Sequence, residues 1–296
     1  MRIAPSFLLS ALVLLWCHAP AFAAGNHRVF NDVEYAIAGG RALKLDLHLV
    51  ESRQAPLIVW VHGGGWRSGS KSEMPLGKMM DAGYSIASVD YRLSTEAPFP
   101  AMLHDIKGAI RFLRASAAQY GYDASRLTVA GNSAGGHLAA LVGVTNGVKA
   151  LEGTVGGHLD QSSDVQAAIS LFGASNLMTI LAQSKPQGLK MRGPALQLLL
   201  GGLPEEKPEL AKLASPVHHL DAKDPPLLLV HGDADPQMPP EQSQELAEAC
   251  KKAGVPVELV IIPGAKHGGK VFFDEEHTAL MKRFLDKALA GQDKAK

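Results

Sequence analysis

Short runs rich in apolar and β-branched residues alternate along the chain with longer segments whose apolar positions recur every three to four residues. That alternation predicts a mostly parallel sheet covered by helices on both faces. Strands are expected near Val29 to Tyr35, Leu43 to Val50, Leu57 to His62, Ser85 to Asp90, Leu127 to Ala130, Val165 to Phe172, Leu227 to Val230 and Val257 to Ile262, which makes an eight-stranded sheet. Leu57 to Val61 is continuously apolar, as a strand buried on both faces should be. Lys44 to Leu49 alternates instead, which places it toward an antiparallel edge with one wetter face. Helices are expected near Glu73 to Ala82, Ala101 to Tyr120, Ala134 to Val144, Glu241 to Ala253 and Phe273 to Ala290, with starts marked by Ser72, Pro100 and Pro240. Residues 174 to 224 carry several prolines and no strand signal, and read as a small helical cap excursion over the sheet edge.

The N-terminal residues have a different pattern. A basic start at Arg2, an apolar run from Phe7 to Trp16 and the small-x-small triplet Ala21-Phe22-Ala23 read as a secretory signal peptide over residues 1–23, with one domain over 24–296. The apolar run is shorter than the roughly 20 residues that span a bilayer, so export is expected without a stable membrane anchor. The bulky Trp16 before Cys17 disfavours lipid attachment at that cysteine. Loss of residues 1–23 removes Arg2 and leaves 28 basic against 29 acidic side chains, so nothing steers the chain toward nucleic acid. It also leaves Cys250 as the sole thiol, which excludes an internal disulfide and makes core burial the source of stability. Within a helical pattern, Cys250 reads as a small buried hydrophobe.

Two glycine-rich segments carry candidate chemistry. Gly131-Asn132-Ser133-Ala134-Gly135 follows the strand Leu127 to Ala130 and opens an alanine- and leucine-rich helix, the setting of a nucleophile elbow. A serine held in that sharp turn needs neighbours without side chains. His62-Gly63-Gly64-Gly65-Trp66 follows the strand ending at Val61, and a chance His-Gly-Gly-Gly arises only roughly 0.01 times in such a chain. Its glycines let main-chain N–H groups approach a reacting carbonyl, so Gly64 and Gly65, with Ala134, are the candidate oxyanion donors. A phosphate cradle is disfavoured, since neither a Lys-Ser/Thr ending nor Gly-x-Gly-x-x-Gly spacing is present. A serine hydroxyl needs a base and an orienting acid. His231-Gly232-Asp233-Ala234-Asp235 and Pro263-Gly264-Ala265-Lys266-His267 each end an apolar strand, and the order Ser, Asp, His puts all three at one sheet edge.

These motifs make the chain resemble an α/β-hydrolase. Gly131 to His137 and His62 to Trp66 are similar to the esterases grouped with hormone-sensitive lipase, and within them to the bifunctional feruloyl and acetyl xylan esterases. Asp90-Tyr91-Arg92-Leu93, Phe99-Pro100-Ala101 with Asp105, and Ala214-Ser215-Pro216-Val217 extend the similarity over nearly the whole mature chain. The resemblance implies Ser133 as nucleophile, Asp235 as the acid, His267 as the base, and Asp233 as a residue that shapes the loop. Two departures stand out. The first strand begins too soon after the cleavage site for a large N-terminal lid, and Asn176 stands where the xylan-esterase branch often carries aspartate.

The resulting expectation is an exported serine carboxylesterase that acts on small-molecule or polysaccharide-linked esters with no cofactor. Rival readings are another hydrolase on this scaffold, such as an arylformamidase or small peptidase, or a non-catalytic binding protein of the same fold. His137, one helical turn after Ser133, reads as a packing or hydrogen-bonding residue. His104, His158, His218, His219 and His277 lack metal-ligand spacing. Trp66 lines the acyl pocket or packs beside the glycine loop, and Asp90 and Arg92 fix a loop by pairing.

Overall fold

The computed structural model describes residues 21–23 and 27–290. The segment read as a signal peptide therefore lies outside the described residues, except for Ala21–Ala23. Nine strands form one sheet: β1 (Ala21–Ala23), β2 (His27–Ala38), β3 (Arg41–Leu49), β4 (Leu57–Val61), β5 (Ser85–Val89), β6 (Leu127–Asn132), β7 (Ala168–Leu171), β8 (Leu227–Gly232) and β9 (Val257–Ile262). The eight expected strands are all present, and the three-residue β1 adds an antiparallel edge beside β2. The sheet order is β1-β2-β3-β5-β4-β6-β7-β8-β9. Pairs from β1 to β5 along this order are antiparallel, and all those from β5 to β9 are parallel.

The α-helices of the described chain are α1 (Gly77–Asp81), α2 (Ala101–Tyr120), α3 (Ala134–Gly143), α4 (Ile180–Gln183), α5 (Pro186–Leu200), α6 (Pro208–Leu213), α7 (Glu241–Ala253) and α8 (Glu275–Leu289), with α4 to α6 forming the cap. Successive side chains of a strand point to opposite faces. In β4, Leu57, Val59 and Val61 accordingly join α2, α3 and α7 in one buried cluster, while Ile58 and Trp60 join α1 and α8 in the other. Cys250 packs in the first cluster, fully buried, and burial pushes its thiol up to about 12.

One sequence expectation shifts. The helix expected from Glu73 starts at Gly77, because Pro75 disfavours a helical residue before it and the Glu73 carbonyl accepts the Trp60 indole N–H at 2.7 Å. Helix α5 runs through Pro194 to Leu200; proline's fixed φ is helical, so the turn there continues without that residue's N–H donor. β3 lies toward the antiparallel edge as its pattern predicts, and its one buried carboxylate, Asp46, is satisfied by the Asp32 N–H and by Lys71 Nζ, each through Oδ1.

Winding reverses at β4, which has β5 on one side and β6 on the other. In such sheets the crevice at the carboxyl ends of the strands, where the order switches, is the natural binding position.

Candidate active site

Five strands deliver side chains or loops to that crevice. β6 ends at Asn132, and Ser133 follows with φ 53° and ψ −118°, a conformation that a non-glycine residue adopts only under constraint. The constraint is close packing. A Cβ at Gly135 would overlap the carbonyl oxygens of Val61 and His62, and one at Gly131 would overlap Gly135 O, so only glycines let the turn nest against β4. The Ser133 N–H donates to Leu171 O at 2.8 Å, which ties the turn to β7 as well.

Ser133 Oγ lies 2.8 Å from His267 Nε2, and His267 Nδ1 lies 2.7 Å from Asp235 Oδ2. The structure thus brings together the three residues that the sequence picked out on separate loops. With Nδ1–H donated to the carboxylate, Nε2 is the nitrogen left to accept the serine proton. Asp235 Oδ1 accepts the N–H groups of Gln237 at 2.7 Å and Met238 at 2.9 Å. Burial opposes ionisation of Asp235, but hydrogen bonds from His231 and His267, the imidazole charge and the Met238 N–H outweigh it, holding the carboxyl well below the usual carboxylate range. His231 Nε2 sits 3.4 Å from Asp235 Oδ2 and 3.1 Å from Met238 O, with its Nδ1 2.7 Å from Ser243 Oγ. Asp233 faces the other way, and its Oδ1 accepts the Gly264 N–H at 2.6 Å.

Gly64, Gly65 and Ala134 border the same cavity, about 370 Å³ in volume, as Ser133 and His267. Ala134 is the first residue of α3, so its N–H has no intrahelical acceptor. Gly64, at φ 103°, folds back so that its carbonyl accepts the N–H groups of Arg67 and Ser68. A side chain there would collide with Ser68 O. The loop is fastened from below by Tyr91, whose OH donates to His62 O at 2.9 Å and whose ring stacks on that of His62 at 4.4 Å.

Trp66 is buried and borders the cavity, while its Nε1–H donates to His137 Nδ1 at 3.0 Å. Both sequence readings of this residue therefore describe part of its position. His137 Nε2 faces Ala214 O at 2.6 Å, so one imidazole joins the glycine loop, α3 and the end of the cap. Full burial pushes its pKa down to about 4, against a partial opposing effect of the Ala214 carbonyl. Arg92 pairs with Asp105 at 2.7 Å, and Asp90 Oδ1 accepts the Lys71 N–H, both fixing loops. Asn176, buried, bonds Glu245 and the Met178 N–H.

Phe172 and Arg192 are among the cavity residues that sequence reasoning missed. Phe172, at φ 42° just past β7, meets the His267 ring edge-to-face at 4.9 Å. Its place at the carboxyl end of a strand was the available signal. Arg192 lies in α5 and reaches the cavity only because the cap folds back over the sheet; no motif marks it.

A parallel sheet that reverses at β4, with a serine turn beside it and an acid and a histidine on the loops beyond, is the arrangement of an α/β-hydrolase. The BD-FAE family profile matches residues 45–250, and the chain belongs to that family, among the hormone-sensitive-lipase-like α/β-hydrolases. Esterase LipQ of Mycobacterium tuberculosis is 31% identical over 82% of this chain and 59% of its own length. The chain spans between about half and three-fifths of the curated relatives that it matches over most of its own length. A truncated carbohydrate esterase from gut microbiota superposes with a TM-score of 0.79 at 30% identity, covering 90% of this chain and 98% of that one. An acetyl ester-xyloside bifunctional hydrolase from Caldicellulosiruptor lactoaceticus gives 0.70 at 28% identity, over 83% and 88%. Among the described residues no helix is long and apolar enough to cross a membrane, and no group of three or more His, Cys, Asp or Glu side chains could hold a metal ion.

Proposed function

We propose that the protein is an exported serine carboxylesterase that hydrolyses short-chain or carbohydrate-linked acetyl and feruloyl esters through an acyl-enzyme. The observation that carries this reading is the continuous relay from Ser133 Oγ to His267 Nε2 at 2.8 Å and from His267 Nδ1 to Asp235 at 2.7 Å, on the floor of an accessible cavity. His267 takes the serine proton as Oγ attacks the ester carbonyl, and Asp235 stabilises the imidazolium that forms. The N–H groups of Gly64, Gly65 and Ala134 receive the oxyanion. His267 then protonates the departing alcohol, water enters, and the same base activates it to release the acid. The preference for carbohydrate esters is supported by the carbohydrate esterase and the acetyl ester-xyloside hydrolase among its structural relatives.

The test is hydrolysis of p-nitrophenyl acetate by the purified protein, followed by a panel of acetyl, butyryl, feruloyl and acetylated-xylan esters. Fluorophosphonate labelling of Ser133 separates an enzyme from a non-catalytic binder of the same fold, and equal turnover by the Ser133→Ala protein would refute the nucleophile. Export is tested by recovering the chain outside the cytoplasm with a new N-terminus near Ala24.

A further inference from the structure

The ionisable side chains bordering the cavity are Arg67, Arg192 and His267, with no aspartate or glutamate among them. Asp235 stands behind His267, its oxygens already engaged by main-chain N–H groups and imidazole. Arg67 is exposed at the rim and forms no ion pair among the described residues. Arg192 is different, because only 6% of it is exposed. Its Nη1 donates to Ser184 Oγ at 2.8 Å, and the other guanidinium donors have no protein acceptor among the described residues. Those donors keep contact with the cavity, and the one protein carboxylate acting on this guanidinium, Asp235, offsets only part of the cost of its burial and accepts no hydrogen bond from it. The planar guanidinium fork matches a carboxylate with two parallel hydrogen bonds.

We propose that Arg192 forms a carboxylate-binding subsite beside the reacting ester, so that the preferred substrates are esters carrying a second, ionised acid group. This inference rests on the esterase reading and names its substrate class. Burial pulls the guanidinium down to about 10, which leaves it charged at neutral pH. The anion sits either on the acyl side, as in a half-ester of a dicarboxylic acid, or on the alcohol side, as in a uronate-bearing carbohydrate. A purely structural duty is the competing account: Arg192 Nη2 lies beside Gly188, which packs on the carbonyls of Pro236 and Gln237, so the side chain could serve only to seat α5 on the acid loop.

Matched esters separate these accounts. For the acyl side the pair is 4-nitrophenyl hemiglutarate and 4-nitrophenyl pentanoate; for the alcohol side it is 4-acetoxybenzoate and 4-methylphenyl acetate. The kcat/KM ratio of charged to neutral member should fall about ten- to a hundredfold in Arg192→Gln in one arm, with Arg192→Lys retaining part of it. The responding arm identifies the side that bears the anion. On the unaltered protein, raising ionic strength from about 0.02 to 0.5 M should lower the same ratio, a readout that does not depend on how well a variant folds. Ratios that stay flat in both arms, while neutral esters are cleaved and Ser133→Ala is inert, overturn the subsite and leave the esterase reading intact. No cleavage of any ester, with no fluorophosphonate label on Ser133, overturns both.

Discussion

The floor of the cavity and its roof are built on different terms. The floor consists of strand-end turns pressed against one another through glycines, with the acid's oxygens and the glycine loop's carbonyls claimed by named donors. The roof is α5, a helix with Leu189, Met191 and Leu198 exposed by 40% or more and a buried arginine whose donors are mostly open. A floor of this kind tolerates little displacement and, in the proposed reaction, fixes which bond is attacked. A roof of this kind tolerates substitution at its exposed positions and, under the proposed subsite, selects what is brought to the floor.

The largest effect that sharpens this contrast is at the nucleophile. Ser133→Ala should lower turnover of p-nitrophenyl acetate by about 10⁴-fold or more while leaving the fold intact, as measured by steady-state kinetics and circular dichroism. A Cβ at Gly135 would meet two carbonyl oxygens of the strand beside it. Gly135→Val should therefore cost several kcal/mol and yield little folded protein, whereas an exposed roof substitution such as Leu198→Ser should change stability by no more than about 0.5 kcal/mol. Thermal melts of the two variants compare floor with roof directly, and equal tolerance would erase the distinction.

His137 tests the joint between them by pH. Its folded-state pKa of about 4 lies below the ordinary histidine value of 6.5, so between these limits the unfolded chain binds a proton that the folded chain refuses. Stability should fall as pH drops from 6.5 toward 4, by at most about 3 kcal/mol from this residue, and His137→Gln should show a shallower slope of melting temperature against pH. A smaller shift concerns the roof alone. Met191 borders the cavity, so Met191→Ala should change the butyrate-to-acetate preference by less than about tenfold. Smallest is the release of backbone constraint at the elbow: Ser133→Gly should melt about 2 °C above Ser133→Ala, because glycine accepts φ 53° without cost to the side chain.

The same contrast explains what could be read before folding. Ser133, Gly64 and Gly65 were legible because close approach of backbones demands glycine at fixed offsets, and that demand is local. His267 was legible through its position after an apolar strand. Choosing between Asp233 and Asp235, only two residues apart, took the family resemblance; in the structure the strand-end turn aims Asp235 at the imidazole and Asp233 at Gly264. The helix start at Ser72 failed for a local reason, Pro75, and for a tertiary one, since an indole from β4 claims the Glu73 carbonyl. Ala21-Phe22-Ala23 has the small-x-small pattern of a cleavage site and also pairs as a strand, and the pattern carried no sign of its partner in β2. Arg192 reaches the cavity through a fold of the chain that no short motif encodes, whereas Phe172 stands at a strand end that the apolar pattern marks.

The ring of His137 uses both nitrogens to clasp Trp66 on one side and the Ala214 carbonyl on the other. Specificity engineering near Ala214 therefore has a mechanical neighbour in the glycine loop proposed to receive developing negative charge. Libraries that reshape the far end of the cap should be screened on an unselective ester as well as on the desired one, because Ala214 and the Trp66 end of the glycine loop are held by the same imidazole.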